Sequence, residues 1–294
     1  MNAYVLQVAI LSGINAILAL GLNLVTGLTG QLSLGHAAFM GLGAYTAAIA
    51  TKAGWPFVLA LAAGGLMAGS AGILIGIPTL RLRGDYLAIA TLGFGEILRV
   101  TAINLEITGG PVGLRAIPGY TTFPWVVLAL ALTYLSLARV LNSRLGRAFL
   151  AVREDELAAD AMGINTTKAK ILAFMLGAFY AGVAGGLYAH YIRYINPNNF
   201  GFMRSIEILS MVVIGGMGSL PGAVFGAITL SAAPELLRSI SPAVAEYRQL
   251  IYGALLVVAT MWFPKGLAGG LEGRFVHLRI RRPGRRPAAK EEPA

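Results

Sequence analysis

Two pairs of charged side chains stand in apolar surroundings and are the first candidates for chemistry in this sequence. Glu96 and Arg99 lie at positions i and i+3, which places them on one helical face within pairing reach. Arg204 and Glu207 repeat that spacing at the start of a short apolar stretch. Charged groups in such surroundings are costly, so each is a functional candidate. Either each pair only neutralises itself near the end of its helix, or it belongs to a functional site, and the sequence leaves both alternatives open.

Nucleophilic, metal and phosphate chemistry have few residues to use. The chain has no cysteine, which excludes disulfides, thiolate metal sites and cysteine nucleophiles, and its three histidines are scattered. His36, set among small residues, suits a hydrogen bond between helices better than a metal. A GxxxxGK[ST] phosphate-binding loop is also missing from the sequence. We therefore expect no catalytic residue, no cofactor and no metal site in this chain.

Residues 142–170 form the longest polar stretch inside the chain, and their centre, residues 152–165, reads VREDELAADAMGIN. Acidic residues in the first turn suit a helix dipole, and Gly163 stands where a left-handed C-cap would end the helix. An apolar stripe runs along this helix, made by Leu157, Ala158, Ala161 and Met162. The sequence predicts a short helix over residues 153–163, whose apolar face either lies on a membrane surface or docks onto another protein.

Apolar helices must position these residues. Of the 294 residues, 56% are hydrophobic and 12% are charged, and Lys52 is the only charged residue among the first eighty. A soluble globular protein, with roughly 25% charged residues, is therefore excluded. Nine stretches approach the about 20 apolar residues that cross a bilayer, namely residues 4–26, 32–50, 57–80, 86–105, 123–141, 171–191, 205–217, 221–237 and 250–263. The predicted fold is all-α, a polytopic transmembrane helical bundle of about nine (8–10) spans, some of them discontinuous.

Glycine clusters interrupt the apolar stretches at residues 27–43, 93–95 and 215–222. A discontinuous helix frees backbone groups that a membrane tolerates only where they line a cavity or are buried in protein. The alternative is that continuous helices pack closely through small residues. The candidates for a helix break, or for a path between helices, are Gly35, His36, Gly93, Gly95, Glu96, Gly216 and Gly218.

The basic residues orient the chain and mark its tail. Short cytoplasmic loops are enriched in Lys and Arg, so residues 142–170 and the C-terminus are expected in the cytoplasm, while the N-terminal orientation stays open. Eight of the 23 basic residues lie from Lys265 onward, where anionic lipid head groups, not nucleic acid, are the expected neighbour. We predict a transmembrane domain over residues 1–268. The basic tail, residues 269–294, is too polar and proline-rich to pack and is expected to be disordered.

Several motifs carry a family resemblance. Residues 27–45, GLTGQLSLGHAAFMGLGAY, look like the N-terminal signature of the branched-chain amino acid permeases. Residues 83–97, RGDYLAIATLGFGEI, are similar to the M-type subunit, and GRAF at 146–149 and GGMGSLPG at 215–222 follow in the same order. An ExAAxxxG pattern resembles the loop by which ABC importer permeases engage their ATPase, and it is formed by Glu156, Ala158, Ala159 and Gly163. The chain thus resembles branched-chain amino acid ABC transporter permeases, the M-type subunit of the LIV family.

The resemblance implies a permease subunit of an ATP-driven importer for branched-chain or related amino acids, in the bacterial inner membrane. The implied partners are a second homologous permease, two P-loop ATPase subunits and a periplasmic substrate-binding protein. The implied ATPase-coupling helix contains Arg153, Glu156, Ala158, Ala159 and Gly163. Ala158 and Ala159 are both expected to face the ATPase, whose groove would close over their small side chains. The candidates for a helix break are then also candidates for the translocation path.

Two other classes of protein stay open from the sequence. An ion-coupled secondary amino acid carrier would need no partner, but proton-coupled carriers use rows of intramembrane carboxylates, and Glu96 is the only acid well inside an apolar stretch. A membrane-embedded enzyme would need a polar cluster at one depth. Three scattered histidines and no cysteine make that class the poorer alternative.

Overall fold

The computed structural model describes residues 3–79, 82, 84–240 and 253, and these residues are helical apart from their connections. The α-helices are α1 (Ala3–Leu22), α2 (His36–Lys52), α3 (Phe57–Thr79), α4 (Asp85–Asn104), α5 (Phe123–Leu141), α6 (Arg144–Glu154), α7 (Glu156–Ala161), α8 (Thr166–Ile192), α9 (Phe202–Gly215) and α10 (Leu220–Ile240). A π-helix, Asn23–Leu28, continues α1, and short 3₁₀ turns are Glu106–Thr108, Gly110–Val112 and Pro197–Phe200. The prediction of an all-helical bundle is confirmed.

Five helical segments are long and apolar enough to cross a membrane, and they are Tyr4–Leu28, Phe57–Pro78, Asp85–Asn104, Phe123–Leu141 and Thr166–Ile192. Three further helices match predicted spans: α2 and α9 have only 17 and 14 residues, and α10 is apolar over Leu220–Ala233. The predicted stretch 250–263, apart from Gly253, and the predicted tail, residues 269–294, lie outside the described residues. The described part of the chain is therefore a multi-pass bundle, and the predicted number of nine spans is not confirmed.

Small residues hold the central helices together. A Cβ on Gly43 of α2 would lie 2.2 Å from the Cα of Gly182 of α8, and one on Gly185 would lie 1.9 Å from the carbonyl oxygen of Met40. A Cβ on Gly64 of α3 would likewise lie 2.7 Å from the carbonyl oxygen of Gly43. Helices in lipid gain little from hydrophobic burial and associate through such close approaches. The small-residue packing of α2, α3 and α8 agrees with this rule.

The bundle has two ends, which are distinguished by their loops. The loop end carries residues 142–170, and the distal end carries the antiparallel bridge between Leu114 and Ile195. At the distal end the ammonium of Lys52, the last residue of α2, donates to the carbonyl oxygen of Arg115. Tyr4 and Phe123 share an apolar cavity there, so α1 begins at the distal end and runs toward the loop end.

Helices α2 and α9 meet halfway between the two ends. The backbone N–H of Ala37, in the first turn of α2, donates to the Oγ of Ser205, in the first turn of α9, at 3.1 Å. From this point α2 runs to the distal end, and α9 runs about 20 Å, at 1.5 Å per residue, to the loop end. Helix α2 begins at His36 rather than at residue 32, because residues 30–35 form an irregular segment that leads from the loop end into the bundle.

Candidate functional site

The polar stretch 142–170 folds into two helices with a sharp break between them. The predicted single helix over residues 153–163 is wrong, because Asp155 has extended backbone angles (φ −157°, ψ 114°). Its carboxylate accepts hydrogen bonds from the backbone N–H of Leu157 at 2.8 Å and of Ala158 at 3.0 Å. Aspartate stabilises an N-cap better than a helix interior. Arg153 therefore belongs to α6, whereas Glu156 opens α7.

Arg153 lies between the two glycine segments that interrupt the bundle. A Cβ on Gly30 would lie 3.5 Å from the Cγ of Arg153, and a Cβ on Gly218 would lie 2.6 Å from its Nη1. Both glycines have left-handed backbone angles, with φ of +70° and +93°, which non-glycine residues adopt at a cost. One arginine of the polar loop thus contacts both irregular segments, which are far apart in the sequence.

A buried asparagine joins the same two segments. Asn23, in the π-helix, donates from Nδ2 to the carbonyl oxygen of Ser219 at 2.9 Å, and its Oδ1 accepts from the backbone N–H of Gly218 at 2.8 Å. A Cβ on Gly27 would lie 2.4 Å from the backbone nitrogen of Gly218, so the segments touch backbone to backbone. Asn23 is not among the site residues predicted from the sequence. Its signal is an amide within an apolar run, one turn before Gly27.

An ion pair ties α7 to the start of α8. Lys170 is buried, and its ammonium bonds the carboxylate of Glu156. A burial this deep is rare for lysine unless it is paired. Arg153, Glu156 and Lys170 line a cavity of about 150 Å³ together with residues 29–31. The loop end thus contains the contacts of Arg153 with both glycine segments, the buried Lys170 and a small cavity lined by charged side chains.

The predicted apolar stripe of α7 is exposed, since Leu157, Ala158, Ala161 and Met162 all face outward. The expectation for Ala159 is wrong: it is 4% exposed and belongs to the hydrophobic core. The reason is that α7 packs against α6 and α8 of its own chain, and Ala159 is on the packed side. Gly163 ends the segment as predicted, with φ of +81° and a bond from the next N–H to the carbonyl oxygen of Ala159.

The start of α2 is a buried polar position. A Cβ on Gly35 would lie 2.4 Å from the carbonyl oxygen of Thr91 in α4, whose Oγ1 accepts from the N–H of Leu34 at 3.0 Å. His36 is 1% exposed, and among the described residues its Nε2 has no hydrogen-bond partner. Gly216, with φ of +111°, ends α9. Gly35 is thus the N-cap of α2 and Gly216 the C-cap of α9, and their place on a translocation path stays a prediction.

Gly93 and Gly95 do not break a helix, so this part of the prediction is wrong. Helix α4 runs without interruption from Asp85 to Asn104. Gly93 has open space at its Cβ position, and Gly95 lies against Ala38 and Gly35. The nearest atoms to a Cβ on Gly95 would be 3.6 and 3.8 Å away, which is ordinary contact, so the structure requires glycine at neither position.

The pair formed by Glu96 and Arg99 is present on α4. The guanidinium of Arg99 bonds the carboxylate of Glu96 and donates to the Oδ1 of Asn198 at 2.9 Å. Arg99 also borders an apolar cavity of about 350 Å³ between α2 and α4, whose wall includes Tyr45 and Phe200. The structure thus bears out structural pairing, and a role of Glu96 in a path stays a prediction.

Arg204 and Glu207 lie inside the bundle and not at its edge. Arg204 donates to the Oε2 of Glu207 at 2.7 Å and to the carboxamide oxygen of Asn15, which is the thirteenth of the 26 residues of α1 and the π-helix. The pair is therefore halfway along the bundle. The sequence predicts the pair at the edge of an apolar stretch, because no local pattern shows that α9 begins inside the bundle.

Known proteins similar to this chain are transport proteins. A family described as "Branched-chain amino acid transport system / permease component" matches residues 4–260. The chain is 41% identical to the high-affinity branched-chain amino acid transport system permease protein LivM of Escherichia coli strain K12, over 89% of this chain and 69% of that protein. It is 37% identical to LivH of the same strain over 49% of this chain and 46% of that protein.

More distant similarity extends to an archaeal protein and to a solved structure. The probable LivM of Methanocaldococcus jannaschii is 28% identical over 71% of this chain and 67% of that protein. PsaBC from Streptococcus pneumoniae in complex with Fab aligns with a TM-score of 0.48 and 17% identity, over 90% of this chain and 94% of that chain.

Proposed function

This chain belongs to the family of branched-chain amino acid transport permease components, and from that premise we propose how it couples ATP hydrolysis to translocation. It is a multi-pass permease subunit of an ABC importer for branched-chain amino acids, it is not an enzyme, and ATP hydrolysis lies on separate subunits. The family contains both LivM-like and LivH-like chains, which indicates a second permease as its partner. The similarities favour this importer over an ion-coupled secondary carrier.

The observation that carries the coupling proposal is the position of Arg153 against both Gly30 and Gly218. A displacement of α6 would move these two irregular segments together, because Asn23 also joins them. The segments end α9 and lead into α2, the two helices that meet halfway along the bundle. An effector shifts a conformational equilibrium only through different affinities for its states. In our proposal, the ATPase supplies that difference by holding α6 and α7.

The ATPase contact is assigned to the exposed stripe of α7. Small residues let a partner groove approach the backbone, and Ala158 and Ala161 are both small and exposed. Leu157 and Met162 flank them as apolar anchors, and buried anchors of this kind carry most of the energy of an interface. The ion pair between Glu156 and Lys170 would transmit a push on α7 to α8.

The proposal also assigns an orientation in the membrane and the remaining partners. The loop end faces the cytoplasm, so the distal end receives the amino acid from a periplasmic binding protein, and two ATPase subunits serve the permease pair. The membrane is the bacterial inner membrane. The C-terminus is cytoplasmic, and the basic residues from Lys265 onward bind anionic lipids there.

Reconstitution tests the whole scheme. The chain, its second permease, the ATPase subunits and the binding protein are co-reconstituted in proteoliposomes, and uptake of radiolabelled leucine is measured with and without ATP. We expect uptake only with ATP and loaded binding protein. Uptake driven by a proton or sodium gradient alone, by this chain without partners, would overturn the importer.

A further inference from the structure

A network of polar side chains lies halfway along the bundle, where α1, α9 and α10 meet. Arg204 bonds both Glu207 and Asn15, and the Nδ2 of Asn15 donates to the Oγ of Ser231 at 2.8 Å. Asn15 is buried, so it fixes the guanidinium from the inner side. Asn15 lies about 20 Å, at 1.5 Å per residue, from each end of the continuous helix that α1 and the π-helix form.

The ion pair itself is open on one side. The side chains of Arg204 and Glu207 are 17% and 21% exposed. An ionised group that faces lipid hydrocarbon at mid-depth is costly, so such groups face the interior of a bundle or a water-filled cavity. The open side of this pair must therefore meet water or a polar partner, not lipid.

The chemistry of the open side suits a zwitterion. A guanidinium binds a carboxylate through paired N–H donors, and a carboxylate binds an ammonium. Among the described residues Arg204 uses donors for Glu207 and Asn15 only, which leaves others of its five N–H groups for a ligand. Met203, on the preceding turn of the same face of α9, is 59% exposed and offers an apolar neighbour for an aliphatic side chain.

We propose that Arg204 and Glu207 bind the carboxylate and the ammonium of the amino acid as it passes the middle of the membrane, with Asn15 as the positioning residue. The inference rests on the proposed function. It assigns the face of α9 that carries residues 203 and 207 to an aqueous path, and it makes the recognition at this point depend mainly on the α-amino acid head, with Met203 as the apolar neighbour of the side chain.

Thiol labelling tests whether this face meets water, and the absence of native cysteine from the chain makes it direct. Met203→Cys leaves the ion pair intact, and Leu132→Cys, halfway along α5 and 60% exposed, is the control at matched depth. In the assembled complex, a charged, water-soluble methanethiosulfonate should modify Met203→Cys at least about tenfold faster than Leu132→Cys. Equal modification rates would contradict an aqueous path along this face of α9, whether lipid or protein covers the face.

A second measurement separates ligand binding from a structural role. Glu207→Gln keeps a hydrogen-bonding oxygen for Arg204 but removes the charge that would hold the ammonium. We expect leucine uptake to fall at least about tenfold, while ATP hydrolysis stimulated by the loaded binding protein stays within about twofold. A parallel loss of both, or of neither, would contradict binding at this pair. Failure of uptake by the unmodified complex would instead count against the proposed function, because the labelling contrast needs no transported substrate.

Discussion

The glycines near the loop end and the glycines of α4 look alike in the sequence but behave differently in the structure. At residues 30–35 and 216–218 the helices are interrupted, whereas α4 passes through Gly93 and Gly95 without interruption. The difference lies in their neighbours. Thr91 accepts from the N–H of Leu34, Ser205 accepts from the N–H of Ala37, and Asn23 serves the backbone at Gly218.

A glycine therefore permits a helix end but does not cause one. The backbone groups that a break frees must find partners when water is absent. The partners at these helix ends are threonine, serine and asparagine side chains that come from distant parts of the sequence. Substitutions at the two kinds of glycine are therefore expected to differ in the size of their effect on transport.

The largest effect is expected at Gly218. Alanine there would be held at φ of +93°, a strain on the order of 1–3 kcal/mol. Its Cβ would also push away the flexible end of the Arg153 side chain, whose Nη1 lies 2.6 Å from the ideal Cβ position. We expect Gly218→Ala to lower ATP-driven leucine uptake below about a tenth, measured in proteoliposomes at equal protein content. Wild-type uptake by this variant would contradict the proposed contact between Arg153 and the glycine segment.

Ala158→Arg is expected to abolish coupling without damage to the bundle. Ala158 is exposed on α7, so arginine there fits this chain but blocks a groove that closes over the helix. Substrate-stimulated ATP hydrolysis should vanish while the variant still inserts and keeps its thermal stability. Ala159→Arg is the informative comparison, because it buries a charge in the core and should reduce the amount of folded protein. Unchanged stimulation in Ala158→Arg would refute the ATPase contact.

Arg153→Met removes the guanidinium contact with Gly218 and leaves both glycine segments unchanged. Methionine keeps much of the apolar stem but loses the guanidinium that lies against Gly218. We expect the number of leucine molecules imported per ATP hydrolysed to fall about tenfold. Arg147→Met, at an exposed position on the same helix, is the matched control and should change this ratio less than about twofold. Equal ratios in the two variants would show that α6 does not act through Arg153.

Asn23→Ala tests the join between the two segments. The substitution leaves the N–H of Gly218 and the carbonyl oxygen of Ser219 without their buried partner, at about 1–3 kcal/mol for each unsatisfied group. Thermal unfolding of the purified chain should shift down by several degrees. Asn104→Ala, which removes an exposed bond to the carbonyl oxygen of Val100, should shift it less. A smaller shift for Asn23→Ala than for the control would count against the role of Asn23 in joining the two segments.

The sequence predicted some features of this fold and site well because they depend on local patterns. Hydropathy located the long helices, and the left-handed end at Gly163 follows from glycine in a C-cap position. Asp155 shows the limit of that reasoning, because it fits both a helical first turn and an N-cap, and only the packing of α7 against α6 and α8 selects the cap. The partnership of Asn23 with Gly218, separated by 195 residues, has no local signal. The depth of Arg204 depends likewise on where α9 begins, and that is decided by contacts with α1 and α2.

Gly93→Ala is expected to have the smallest effect, and it completes the comparison. The Cβ position of Gly93 is open, the residue is exposed on a continuous helix, and its φ is not positive. Alanine in a helix interior is favoured over glycine by roughly 0.5–1 kcal/mol. Uptake should stay within about twofold of wild type, and the unfolding temperature should stay the same or rise slightly. If Gly93→Ala instead lost uptake as severely as Gly218→Ala, then α4 would have to open at Gly93 during transport. The difference between the two glycine sets would in that case belong to one conformation of the permease rather than to its sequence.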